Sequence, residues 1–160
     1  MHAELSPLSH SSSGCLQPSS EKHPATATPP TPTRGIRNNN PLNIRISPDN
    51  KWLGKVTPNT DGSFEQFRTM QHGVRAAWKL ILNYYDRHGL HTINSIVARF
   101  APPSENNTAN YIATLIRLTG KGGNETLRRS ELPQILYAMA LIESGPQVRM
   151  YKQLFTNLKP

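Results

Sequence analysis

One stretch near the C-terminus, residues 130–145, constrains the fold more than any other and reads SELPQILYAMALIESG. Its apolar side chains recur at three- and four-residue steps, as they do on one buried face of a helix: Leu132, Ile135, Leu136, Met139 and Ile142. Ser130 and Gly145 are residue types that commonly cap the two ends of a helix. The sequence therefore predicts a buried helix between them.

An acidic residue, Glu143, lies in the last turn of this predicted helix. It follows Leu136 by seven residues, so it projects from the apolar face. Burial and the negative end of the helix dipole both favour the neutral acid over the carboxylate. A carboxylic acid that is neutral near pH 7 can act as a general acid. The pattern leaves a structural alternative open, in which Glu143 turns outward or pairs with an arginine.

The first 33 residues differ in composition from the rest of the chain. They contain six of the 14 prolines, seven serines and four threonines, and almost no large apolar side chains. Such a segment cannot bury enough surface to offset the entropy lost on ordering. The sequence therefore predicts a disordered tail over residues 1–33 and one folded domain over residues 34–160.

Charge follows the same boundary. Residues 34–160 contain 17 Lys and Arg against eight Asp and Glu, a formal charge of +9. A domain this basic is expected to meet a polyanion, which can be nucleic acid, an anionic membrane surface or an acidic cell-wall polymer. Charge alone does not choose among the three.

The N-terminus shows no apolar run typical of a signal peptide, and no stretch has the length of a membrane span. We therefore expect a protein that is made in the bacterial cytoplasm and acts in a virion or in the periplasm after delivery by another route. The only cysteine, Cys15, excludes an internal disulfide.

Short alternating or aromatic segments follow the asparagine-rich turn, and we expect them to form a small antiparallel β-ribbon: residues 42–46, 52–56 and 64–67. Helical periodicity and end signals then predict about five helices, near residues 71–88, 93–100, 108–119, 130–144 and 146–155. The predicted fold class is α+β and mostly α.

Two groups of ribbon residues have both a structural and a binding interpretation. Trp52 and Phe67 are more often core residues, although an aromatic face can also line a sugar groove. Asn40 and Asn43 are turn formers first, and their amides can bind sugar hydroxyls second. The sequence does not decide between these interpretations.

Metal and nucleic-acid motifs are weak. The predicted domain has three histidines (His72, His88 and His91) and no cysteine, so we predict neither a metal site nor a cofactor. No helix-turn-helix or aromatic platform accompanies the basic residues. Binding to nucleic acid therefore rests on charge alone.

Residues 34–118 resemble a phage and prophage family usually described as a virion structural protein. The resemblance is carried by RGIRNNNPLNIR at residues 34–45 and APPSENNT at residues 101–108. It implies a phage or prophage origin and virion partners.

A more distant resemblance is to lysozyme-like glucosaminidases, in which the Glu of a helix-ending Glu-Ser-Gly is the catalytic acid. Residues 143–145 match that helix end, and residues 40–45, 64–67 and 108–111 look like later elements of that family in the family's order. Because the Glu-Ser-Gly helix comes last here, the resemblance implies a circularly permuted lysozyme-like domain. Pro146 departs from the family, which usually continues with an aromatic residue.

This resemblance implies a peptidoglycan hydrolase or lytic transglycosylase that cleaves glycan strands. Glu143 would protonate the glycosidic oxygen, and Tyr111 would stabilise positive charge or orient the sugar ring. Water, a group of the substrate, or a second carboxylate from Asp61 or Glu65 would complete the reaction. The bond that is cleaved is left open.

Two alternatives come from other functional classes. The first is a non-catalytic virion protein of the same fold that binds peptidoglycan or capsid partners. In the hydrolase hypothesis, the N-terminal tail would tether the domain to a virion or secretion machine. The second and weaker alternative is a basic accessory protein that binds DNA.

Overall fold

Six α-helices make up most of the regular structure in residues 31–160, the part of the chain that the computed structural model describes. They are α1 (Arg34–Arg37), α2 (Met70–Arg87), α3 (Ile93–Phe100), α4 (Thr108–Thr119), α5 (Leu132–Ser144) and α6 (Lys152–Thr156). Two 3₁₀ segments, Arg129–Glu131 and Pro146–Tyr151, flank α5. The prediction of a mostly helical domain is confirmed. Residues 1–30, and with them most of the predicted tail, lie outside the described residues.

Helix α5 forms the centre of the domain. Nine of its 13 residues are buried, and it packs against α1, α2, α4, α6 and both 3₁₀ segments. The predicted apolar face is fully buried: Leu132, Ile135, Leu136 and Met139 are all 0% exposed. Each such side chain contributes about 1.5–3 kcal/mol through its removal from water. The apolar stripe therefore makes α5 the helix against which α1, α2, α4 and α6 pack.

Helix ends follow the sequence closely, with two exceptions. Thr92 caps α3 and accepts a hydrogen bond from Ser95 N at 3.1 Å, and Asn107 caps α4. Gly120 ends α4 in the left-handed conformation. Ser130, however, lies inside a 3₁₀ segment and does not cap α5. The predicted last helix is also divided, because a 3₁₀ segment precedes α6.

The predicted β-ribbon does not form as strands among residues 31–160. Two isolated antiparallel bridges occur instead, Arg45 with Phe64 and Lys55 with Phe67. Backbone hydrogen bonds join the segments only around these bridges, Glu65 N to Ile44 O with Ile46 N to Ser63 O, and Val56 N to Gln66 O with Arg68 N to Gly54 O. Side-chain hydrogen bonds hold the turns beside them. Asn40 both donates to Ile44 O and accepts from Ile44 N, and Asp61 accepts from Phe64 N. The segments are thus held as a network of turns.

Within residues 31–160, no helix combines the length and the apolar character that crossing a membrane requires.

Candidate functional site

The segment before and after α1, residues 33–45, wraps around the C-terminal end of α5. Thr33 Oγ1 donates a hydrogen bond to Ser144 O at 2.7 Å, and Ser144 Oγ donates to Pro41 O at 2.8 Å. Gly35 approaches so closely that a Cβ atom there would lie 1.9 Å from Ser144 Oγ. The asparagine-rich motif and the Glu-Ser-Gly helix end are therefore parts of one structure.

Glu143 lies at this junction and is only 3% exposed. Asn43 Nδ2 lies 3.2 Å from Glu143 O and 3.4 Å from Glu143 Oε1, so its amide donates toward both atoms. Asn43 adopts a left-handed backbone conformation with φ of 52°, which asparagine tolerates better than most residues. This conformation helps to place the Asn43 side chain against the end of α5.

Tyr111 brings a third polar group to the same place from α4. The residue is 1% exposed, and burial raises the pKa of its hydroxyl well above the usual value, with the neighbouring Glu143 carboxyl adding to the effect. The Tyr111 hydroxyl therefore keeps its proton over the physiological pH range. Glu143, Asn43 and Tyr111, which the sequence proposed as site residues, are brought together by α5, the asparagine loop and α4.

Asn40 and Phe67 occupy the interior. Asn40 is fully buried, and its side chain bonds to Ile44 N, Ile44 O and Glu65 O at 2.9–3.0 Å. Phe67 is 3% exposed and belongs to the apolar core. The contacts of Asn40 therefore fit the turn-forming interpretation, and those of Phe67 fit the core interpretation.

The Asp61 side chain holds the loop that follows Gly54 in place through several hydrogen bonds. Its carboxylate accepts hydrogen bonds from Arg34 Nε at 2.9 Å and Nη2 at 2.7 Å, and from Asn38 Nδ2 at 2.9 Å. The backbone N–H groups of Ser63 and Phe64 donate to it as well. The Arg34 guanidinium above all holds the pKa of Asp61 well below its usual range, which keeps the carboxylate charged.

We expect Asp61→Asn to reduce the free energy of unfolding by roughly 1–2 kcal/mol at pH 7, because the charged partner of Arg34 is lost. A depressed pKa stabilises the fold fully above the ordinary aspartate pKa of about 4, and this contribution is lost progressively as pH falls from that value through the lower pKa of the folded state. Urea unfolding should therefore show a smaller difference between the two proteins at pH 3 than at pH 7. Asp49→Asn, at an exposed position, is the matched control. Equal losses from both substitutions would contradict the assignment.

Glu65, the other proposed second carboxylate, is fully buried. Its Oε2 lies 3.2 Å from Lys55 Nζ and accepts from Ser47 N at 3.3 Å. These contacts join three turns of the loop region. The Glu65 carboxylate therefore makes structural contacts within the loop region.

Trp52 lines a separate groove beside α2, together with Tyr84 and Arg99. On α2, Tyr84 is more buried than the adjacent Tyr85, at 4% exposure. The helical period could have identified it, because Tyr84 follows Ile81 by three residues and Ala77 by seven. Within residues 31–160, no group of three or more His, Cys, Asp or Glu side chains is placed to hold a metal ion.

No family model matches the chain. It is, however, 38% identical over 123 residues to protein P5 of Pseudoalteromonas phage PM2, and the match covers 76% of this chain and 77% of that protein. The chain belongs to the protein P5 family. Membership in the P5 family confirms the predicted relationship to phage proteins. The lysozyme-like resemblance is not tested by the P5 match and stays a prediction.

Proposed function

We propose that this member of the P5 family is a component of a phage particle and acts on the bacterial cell wall. Its relationship to a phage protein and the +9 charge of residues 34–160, which suits an anionic polymer, support this proposal. Virion proteins and peptidoglycan are then its partners.

The activity we propose is cleavage of peptidoglycan glycan strands, with Glu143 as the general acid. The observation that carries the proposal is the convergence of Glu143, Asn43 and Tyr111 on the buried end of α5. Burial disfavours a charged carboxylate, and Glu143 would in this way hold the proton that the leaving sugar oxygen needs. Asn43 orients the carboxyl group, and the protonated Tyr111 hydroxyl can donate to the substrate or to Glu143.

The fold we propose for this activity is a permuted lysozyme-like domain. Support comes from the position of the first described residues: Thr33 is hydrogen-bonded to Ser144, and Gly145 lies next to it. In the lysozyme-like family that the sequence resembles, the Glu-Ser-Gly helix comes first and the asparagine-containing segment follows it downstream. The short distance between these two chain positions is what a permutation requires.

A second candidate is a virion protein that binds peptidoglycan or other virion proteins without cleaving a bond. The specific observation in its favour is the 3% exposure of Glu143, because a catalytic acid must reach its substrate. The P5 relationship supports this candidate equally. Asp61 and Glu65 have structural roles in both candidates, since their carboxylates already bind Arg34 and Lys55.

Incubation of the purified full chain with purified peptidoglycan tests the proposal. We expect loss of turbidity and release of soluble fragments, and the chemical form of the new sugar end distinguishes hydrolysis from transglycosylation. Binding without release would favour the non-catalytic virion protein. A chain that neither binds nor cleaves peptidoglycan would contradict the cell-wall proposal, and salt-sensitive binding to DNA would then favour the DNA-binding alternative.

A further inference from the structure

A groove of about 620 Å³ lies between the loop that contains Trp52 and the helices α2 and α3. Its volume is in the range of small-ligand sites, roughly 300–1,000 Å³. Eight residues line it, among them Trp52, Lys79, Tyr84 and Arg99. Glu143, Asn43 and Tyr111 are not among them, so this groove is distinct from the proposed catalytic site.

The electrostatic character of the groove is positive. Lys79 and Arg99 are exposed at its surface, and none of the eight lining residues is acidic. The Arg99 guanidinium lies 5.5 Å from the centre of the Tyr84 ring, a cation–π contact that helps to hold it beside the groove. Two cations in a concave site are suited to bind a carboxylate-bearing ligand.

The remaining lining groups suit a sugar. Trp52 is half-buried, and its indole Nε1–H is buried without a hydrogen-bond acceptor among the described residues. Because that N–H group is itself buried, a ligand in the groove would meet the half-buried indole ring rather than the N–H group. Asn50 and Asn83 add amide groups that can both donate to and accept from hydroxyls.

Tyr84 connects the groove with the catalytic site we propose. Its side chain is buried beneath the groove and is close enough to Tyr111 to influence the titration of that hydroxyl. Tyr111 in turn neighbours Glu143. Tyr84 therefore links the lining of the groove to Tyr111 through an electrostatic effect.

We propose that this groove binds the carboxylate-bearing part of a peptidoglycan strand, with Lys79 and Arg99 contacting carboxylates and Trp52 contacting a sugar ring. The inference rests on the proposed cell-wall function and adds a binding site for the anionic substituents of the strand. Single-stranded nucleic acid fits this groove less well. Proteins usually bind its phosphate backbone along an extended basic surface, whereas this groove has two cations in one compact site.

Calorimetric titration of the full-length Glu143→Gln protein with a soluble, peptide-bearing peptidoglycan fragment tests this inference without turnover. We expect Arg99→Gln and Lys79→Gln each to weaken binding about tenfold, as is typical when a hydrogen bond to a charged group is lost. Trp fluorescence should change on binding, and Trp52→Phe should remove the change, because the other tryptophan, Trp78, is in the core.

Arg117→Gln, at an exposed position on α4, is the matched control and should leave the affinity unchanged. A neutral N-acetylglucosamine tetramer should bind more weakly than the charged fragment. The inference is overturned if the fragment does not bind, if Arg99→Gln and Arg117→Gln act alike, or if a single-stranded DNA oligonucleotide binds this groove more tightly. Binding without any cleavage by the wild type would keep this inference and remove the proposed activity.

Discussion

Glu143→Gln is expected to reduce the release of soluble peptidoglycan fragments by roughly 10²–10⁴-fold, the usual contribution of a general acid. Glutamine has nearly the same shape and can still accept a hydrogen bond from Asn43 Nδ2, which lies 3.4 Å from Oε1 in the wild type. It cannot donate a proton to a leaving oxygen. Initial rates of fragment release by the two proteins under identical conditions measure the effect.

The control for this experiment is Glu125→Gln. Glu125 lies in an exposed loop, where its carboxylate accepts a hydrogen bond from Gly122 N. This substitution should leave release unchanged. Thermal unfolding should show that Glu143→Gln remains folded, because the substitution removes an ionisable group from a buried position. Equal release by wild type and Glu143→Gln would remove Glu143 from the mechanism.

Gly73→Ala is expected to destabilise the fold by about 3 kcal/mol, which lowers the melting temperature by on the order of 10 °C. Gly73 lies on the buried face of α2, and a Cβ atom there would be 1.8 Å from Asn39 O. A backbone carbonyl cannot move by a change of rotamer. Asn39 is also fixed by a left-handed φ of 55° and by a hydrogen bond from its Nδ2 to Phe67 O.

Denaturant unfolding measures this effect, with Gly122→Ala as a matched control. A Cβ atom at Gly122 would make only ordinary contact, 3.7 Å from Glu125 Cβ, so the control should change stability by less than about 0.5 kcal/mol. The clash at Gly73 also pushes on the loop that carries Asn43, so any activity should fall with stability. If both substitutions have the same small effect, the α2–loop contact is not close-packed.

The sequence predicted those parts of the molecule that depend on neighbouring residues along the chain. Helical periodicity identified the buried face of α5, and periodicity with local end signals placed α3 and α4 near residues 93–100 and 108–119, where they occur. The same periodicity placed Glu143 on the apolar face, where it is buried. These features follow from the geometry of a single helix, in which residues three and four apart share a face.

Only the tertiary structure distinguished Asn40 from Asn43. Both belong to one turn-forming motif. The Asn40 side chain forms hydrogen bonds within the loop, whereas the Asn43 side chain contacts Glu143, one hundred residues away. The ion pair between Asp61 and Arg34 was decided in the same way. The hydrogen-bond partners of polar side chains come from other elements of the fold. The periodicity of one helix or strand does not specify which amide or carboxylate meets which donor. The end of α5 was therefore fixed by the sequence, whereas the set of groups around Glu143 was fixed by packing.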